Sequence, residues 1–275
     1  MLENLNLMNK ICLHYKDKKE EDKYLFLEEK LISLTLDFLS VNSPTEHLEY
    51  NIESRINEFI QAINLKVLET YNKAFSYSDT ELRLFSKGID LLHSPHVKRV
   101  CEKNPEKLQE LKILAFNNLS CIHRKNQNYP MAFKAVSYAL KMENEQLKTN
   151  PNKIETVKNI ISTYLNQAVI CSELRKHEES VKMISIALSH LEQLEKLLKN
   201  QQDAKNYEEN YQGYLYLKMV SYFNLAVENE YLCNQSKAIA FYQETVKLAS
   251  EMNNSEILKK SEVALTKLNK KNQKF

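Results

Sequence analysis

The chain has 275 residues, 43% of them hydrophobic, and carries 38 Lys and Arg against 36 Asp and Glu, a net charge of +2. It is too apolar for a disordered chain, long enough for one large or two ordinary domains, and too evenly charged to support a general nucleic-acid role. Two glycines and five prolines are too few turn residues for a hairpin-rich β fold, and five scattered cysteines without a CxxC pair speak against a disulfide framework or a zinc site.

The opening MLENLNLMNKICLHYK interrupts its apolar residues with polar ones every few positions and shows no cleavage-site pattern, so no secretory signal is expected. No apolar run approaches the roughly 18–20 residues a membrane span needs, and no membrane association is expected. Helices are predicted near residues 23–39, 44–71 and 79–92. Ser43-Pro44-Thr45-Glu46 reads as a helix start, with Ser as N-cap, Pro at the first helical position and Glu closing a capping box. Ser94-Pro95 is expected to break the chain after Leu92. Asn104-Pro105 and Asn150-Pro151 repeat the cap-then-Pro logic, and Tyr129-Pro130 is expected to separate two helices. Residues 1–100 are read as a helical N-terminal region, either degenerate repeats or a small bundle.

Three segments then fall into one register: FNNLSCIHRKNQNYPMAFKAVSYAL from 116, YLNQAVICSELRKHEESVKMISIAL from 164 and YFNLAVENEYLCNQSKAIAFYQETV from 222. Each opens on an aromatic (Phe116, Tyr164, Tyr222), followed two places on by Asn (Asn118, Asn166, Asn224) and then by a small residue (Ser120, Ala168, Ala226). A second small residue follows at Ala132, Ser180 or Ala238, and a third at Ala139, Ala187 or Thr245. Repetition in one register means repeated structure. The i, i+3/i+4 stripes split each segment into two helices around a polar turn. The small residues pair as Ser120/Ala132, Ala168/Ser180 and Ala226/Ala238, placed to let antiparallel helices approach closely.

This pattern resembles the tetratricopeptide repeat family. The aromatic, the large apolar residue of the first helix (Leu119, Leu225), the small residue after it, and the Ala–aliphatic–Ala spacing of the second helix (Ala132, Val136, Ala139) all match its motif. Gln167 replaces the apolar residue in the second segment, and Ser180 and Thr245 replace alanines. The resemblance covers residues 105–252 and implies an all-α, right-handed helical-hairpin solenoid, with three such hairpins in residues 101–252. Ala139 to Ala187 is 48 residues and Ala187 to Thr245 is 58, against a usual repeat of about 34. Over-long helices are therefore expected, somewhat like the extended repeats of kinesin-light-chain-type proteins. The second helix of the middle segment should run to about Lys199 and turn near residues 200–203. Residues 253–275 read as a basic capping helix and tail that covers the last apolar surface.

No catalytic, metal or cofactor site is expected. His93 and His96 flank Pro95 and lie in a turn, Cys12/His14 and Cys121/His123 alternate and point apart, and two glycines cannot build a phosphate-cradling loop. The resemblance instead implies a concave groove lined by the first helices. Its candidate contact residues are Asn118, Arg124, Lys125, Leu165, Asn166, Glu173, Phe223, Asn224, Val227 and Glu230. The three asparagines carry both donors and acceptors. They suit either the backbone of a guest peptide or ties between neighbouring repeats. The subclass of the family that grips C-terminal carboxylates needs basic and Asn residues where this chain has Asn117, Cys121, Val220 and Asn224; only Asn166 fits, so that activity is not expected. The expected role is a non-catalytic cytoplasmic scaffold or adaptor that binds a partner peptide or amphipathic helix within a larger complex. A structural part of a cytoskeletal or ciliary (axonemal) assembly is the alternative, and a peptide-sensing regulator a second.

Overall fold

The structure is a computed structural model and describes residues 2–41, 51–71, 79–100, 105–200 and 204–272. Among these residues the protein is all-helical. It divides into two compact units, Met1–Ala135 and Val136–Phe275. The first contains α1 (Leu2–Asp17), α2 (Glu21–Val41), α3 (Ile52–Tyr71), α4 (Asp79–His93), α5 (Pro95–Val100) and α6 (Pro105–Lys125), and the boundary falls inside α7 (Tyr129–Thr149). The second continues with α8 (Ile154–Glu173), α9 (His177–Lys199), α10 (Ala204–Tyr231), α11 (Gln235–Glu251) and α12 (Ser255–Asn272). None of the described helices is long and apolar enough to cross a membrane.

One loop geometry recurs five times among the described residues. Lys19, Gln127, Arg175, Cys233 and Asn253 each follow a helix end with φ between 54° and 61°. In every case the amide of that residue donates to the carbonyl three residues back at 2.9–3.2 Å, and the next amide donates to the carbonyl five back at 2.8–3.0 Å. That pair of bonds is the Schellman arrangement, which satisfies the orphan carbonyls of a helix end. The residue after it then accepts the first bond of the next helix at 2.9–3.1 Å, as in Ala132 to Asn128, Ser180 to Lys176 and Ala238 to Asn234. Helix stop and helix start thus share two residues, which is why the turns are so short. Three of the five loops belong to the segments in common register. The other two, at Lys19 and Asn253, join α1 to α2 and α11 to α12.

In unit 1, α2 packs against α1, α3, α4 and α5, and α3 and α4 both pack against α6. Its apolar core joins Leu5, Leu25, Leu31, Ile32, Ile56, Phe59 and Ile60 to Leu111 and Ile122. Through this core runs a polar tie: Arg55 (8% exposed) grips both oxygens of Glu28 (1% exposed), with Nε donating to Oε1 at 2.7 Å, and its Nη1 donates to Asn9 Oδ1. A bidentate Arg–carboxylate pair tolerates little displacement, so it sets the register of α1, α2 and α3. Burial beside this pair pushes the Cys12 thiol up to about 12.

Several boundaries differ from those read in the sequence. α1 was not expected. Its buried face is Leu5, Asn9 and Cys12, and a polar residue in the middle of that face hides the stripe. The helix expected from residue 44 begins at Ile52, because Asn51 caps it by accepting the Ser54 amide at 3.2 Å; residues 43–50 lie outside the described part. Ser94 interrupts α4 and α5 for one residue, and its Oγ accepts the Val97 amide at 3.2 Å, so the expected break is also a new start. Tyr129-Pro130 is the first turn of α7, capped by Asn128, whose Oδ1 accepts the Met131 amide at 3.4 Å. Asn150-Pro151 starts no helix: α8 begins at Ile154 after an extended Lys153.

In unit 2, α8 packs on α9, α9 on α10, α10 on α11 and α11 on α12, while α8 also packs directly on α10. Every small residue that defines the register is buried: Ser120, Ala168, Ala226, Ala132, Ser180, Ala238, Ala139, Ala187 and Thr245 are all at or below 1% exposure. Ser180 Oγ donates to the Ala168 carbonyl at 2.8 Å, so α8 and α9 touch where the two small residues meet. The long spacing is accommodated as expected: α7 runs to Thr149, α9 to Lys199, and α10 spans 28 residues. α12 packs on α11 and buries Ser261 and Leu268, the latter in a cluster with Ala226, Ala238 and Tyr242.

Candidate functional site

Adjacent first helices of unit 2 present a continuous partly exposed surface. On α8 the residues with accessible area recur as Glu155, Lys158, Ser162, Asn166, Val169 and Glu173, a spacing of three and four that keeps them on one side of the helix. On α10 the matching line is Tyr216, Val220, Phe223/Asn224, Val227 and Glu230/Tyr231. The direct contact between α8 and α10 sets these lines side by side.

The site-specific expectations distribute unevenly over this surface. Asn166, Val169 and Glu173 lie on the α8 line, and Phe223, Asn224, Val227 and Glu230 on the α10 line. Leu165 does not: at 5% exposure it belongs to the core with Ile161, Ala168 and Leu215. Phe223 has a double role, because its ring meets Tyr242 edge-on at 6.1 Å within the α10/α11 cluster. Glu230 accepts the Tyr242 hydroxyl at 3.1 Å, and burial, reinforced by this carboxylate, raises the Tyr242 pKa. Asn118, Arg124 and Lys125 lie on α6 in unit 1. The Asn118 Nδ2 is buried without a hydrogen-bond partner, whereas half-buried Arg124 and Lys125 already have partners within the chain.

Asn166 and Asn224 take no part in tying repeats together; their carboxamides make no side-chain hydrogen bond among the described residues. Other residues make those ties. Thr163 Oγ1 donates to Glu143 Oε1 at 2.9 Å, Gln167 Nε2 to Ser137 Oγ at 3.3 Å and Asn144 Nδ2 to the Tyr164 hydroxyl at 3.4 Å. Gln167, which departs from the apolar residue at its place in the register, therefore has a structural reason to be polar. It is 7% exposed and bonded across to α7.

The two ends of the surface are built by residues that sequence reasoning did not single out. At one end Lys158 reaches from α8 to α10, where its Nζ donates to Asn210 Oδ1 at 3.4 Å. Its stem passes over Gly213, and a methyl group there would lie 3.3 Å from Lys158 Cε. Glycine is thus used for close approach inside a helix. At the other end His177 opens α9, donates from Nδ1 to Glu228 Oε2 at 2.8 Å, and stacks on exposed Tyr231 at 4.4 Å and 14°. Glu228 is 3% exposed, so this pair anchors α9 to α10. An open cavity of about 350 Å³ beside it is lined by Arg175, Lys176, His177, Glu178, Glu179 and Leu232. The surface therefore has a Lys158–Glu155 ion pair (3.3 Å) at one end, two carboxamides free of side-chain hydrogen bonds among apolar residues in the middle, and carboxylates at the Glu173/Glu230 end. His93, one of the two histidines flanking Pro95, bonds its Nδ1 to the Ile89 carbonyl at 2.9 Å and meets Phe116 edge-on. Among the described residues no group of His, Cys, Asp and Glu is arranged to hold a metal ion. Comparison with protein-family models gave no match, and comparison with curated proteins gave none either.

Proposed function

We propose that this protein is a non-catalytic interaction scaffold of the tetratricopeptide type, and that the α8/α10 surface receives an extended or helical segment of a protein partner. The observation that carries the proposal is the pair Asn166 and Asn224. Two carboxamides hold equivalent places on adjacent helices, uncommitted to the fold, with Val169, Val220 and Val227 around them. A carboxamide can both donate to and accept from a guest backbone, and the valines offer shallow apolar anchors. Glu173 and Glu230 give the guest a polarity: its basic end lies toward them. In this reading the recurrent hairpins continue as a right-handed solenoid closed by α12.

Selection of random displayed peptides on the full chain tests this. Enriched sequences are expected to carry apolar anchors followed by a basic end, and to bind an Asn166→Ala/Asn224→Ala variant about tenfold more weakly, since each lost guest hydrogen bond contributes about 0.5–1.5 kcal/mol. Phe223 is left intact because its removal also loosens α10 on α11. Failure of any peptide to enrich, or equal binding by the variant, would overturn the assignment of this surface.

A further inference from the structure

The charge of the chain is concentrated in its last helix. Residues 255–275 hold six lysines and two glutamates, a net of +4; the whole chain is +2, so the preceding 254 residues net −2. α12 sorts these residues by face. Its inward side consists of buried Ser261 and Leu268 with half-buried Ile257, Leu258, Ala264 and Leu265, packed against α11. The opposite side aligns Lys259, Val263, Thr266, Lys267 and Lys270, spaced i, i+4, i+7, i+8 and i+11, all exposed. Lys260 at its margin is held by Glu256 at 2.6 Å. Lys259, Lys267 and Lys270 make no ion pair among the described residues; exposed Glu262 lies three residues from Lys259, whereas Lys267 and Lys270 have no carboxylate within four residues. Val263 stands 47% exposed between them.

We propose that this lysine face is a second docking surface, separate from the α8/α10 face, and that its partner is an acidic protein segment with an apolar residue seated on Val263. Three lysines without an ion pair on one helix face, two of them with no carboxylate within four residues, complement a run of carboxylates. A lipid surface fits less well. An interfacial helix inserts a broad apolar face, and that of α12 is already spent on α11. Nucleic acid fits less well too, because the face lacks arginine and aromatic residues to stack on bases.

The test uses the full chain and a fluorescein-labelled oligoglutamate peptide with one central leucine, read by anisotropy. Binding is expected to weaken steeply as salt rises. Lys259→Gln/Lys267→Gln/Lys270→Gln should weaken it about tenfold, as expected for the loss of three exposed ion pairs, and Val263→Ser a few-fold. Lys182→Gln/Lys196→Gln/Lys237→Gln, which neutralises three exposed lysines elsewhere in unit 2, should leave it unchanged, as should Asn166→Ala/Asn224→Ala. Far-UV circular dichroism checks that each variant is folded, and Lys267→Glu alone repeats the test with a single exposed change. Unchanged binding by the α12 variants, or equal weakening by the control lysines, would overturn the proposal. So would tighter, α12-dependent binding to phosphatidylserine vesicles than to the peptide.

Discussion

Replacing Ala168 by Leu asks whether the hairpin crossing has room to spare. Ala168 is fully buried, and so are Ile184 and Ala187 on the facing helix; Ser180, 1% exposed, bonds the Ala168 carbonyl at 2.8 Å. Leucine adds three carbon groups. If they found space, burial at about 0.8 kcal/mol per group would stabilise the protein by roughly 2 kcal/mol. If the helices are already in contact, overpacking costs about 1–3 kcal/mol. The two cases differ in sign, which makes the experiment decisive. The observed Ser180–Ala168 bond requires the second. The urea midpoint of unit 2 should therefore fall by about 0.5–1.5 M, taking a slope near 2 kcal/mol per molar. Ala226→Leu, in the next hairpin, should behave alike, and Lys182→Leu on the exposed side of α9 should shift little. Far-UV circular dichroism against urea provides the readout. A raised or unchanged midpoint for both core variants would refute the idea that small residues exist here to let helices approach.

The loops and the thiols carry three further expected outcomes. Arg175→Gly and Cys233→Gly should each stabilise the chain by about 0.5–1 kcal/mol in the same urea assay, because a side chain at φ near 60° is strained and glycine is not; Asn253→Gly should change little, since Asn tolerates this conformation, and a loss of stability in the first two would contradict the turn geometry. Burial holds Cys12 near 12 and Cys121 and Cys171 near 11, above the ordinary thiol value of 9.0. A folded-state pKa above the unfolded one means that the folded chain keeps protons the unfolded chain has lost, so stability is full below about pH 9 and falls as pH rises toward 11, by about 1.4 kcal/mol per pH unit for each thiol. In a Cys101→Ser background, a thiol reagent at neutral pH should modify exposed Cys233 first, half-buried Cys121 more slowly, and buried Cys12 and Cys171 only on unfolding; equal rates at all four would contradict the burial.

The hairpins of residues 116–246 were legible because their defining residues act locally. A small residue is needed wherever two helices cross, and the crossing recurs at a fixed distance from the turn. The turns themselves carried no glycine signal, since their left-handed positions are Gln127, Arg175 and Cys233. Their place could be read only from the small residues on either side. The N-terminal hairpin was harder for a related reason. Cys12 occupies the place of Ser120 or Ala168 relative to its loop, but Tyr24 stands where Ala132 or Ser180 would be, so α1/α2 shares the backbone geometry without sharing the small-residue pair. The buried Arg55–Glu28–Asn9 tie was out of reach altogether, because its members lie on three helices and nothing in a single segment marks them as partners. Leu165 differs for the opposite reason: the resemblance sends it to the groove, whereas it is 5% exposed and belongs to a core cluster that includes Leu215 of α10.

Polar residues in unit 2 separate into those the fold consumes and those it leaves over, and that division is the stronger guide to function. Gln167, Thr163, Asn144, His177 and Glu228 all bond between helices, and each would leave a buried or half-buried group unsatisfied if its partner were removed. Asn166 and Asn224 lie close to these residues in sequence, with the same chemistry, yet make no such bond. Stability alone gives no reason for an amide there in place of a better helix former, since Asn in a helix interior is unfavourable by several tenths of a kcal/mol relative to Ala. Under the proposed function, two such costs at equivalent places, on the partly exposed side of adjacent helices, are offset by the guest segment. The lysines of α12 follow the same reasoning with charge in place of hydrogen bonds. Lys260, Lys247 and Lys199 pair with carboxylates three or four residues away, whereas Lys259 makes no ion pair among the described residues and Lys267 and Lys270 have no carboxylate within four residues. Groups left uncommitted by an otherwise well-satisfied fold are the ones available to a partner.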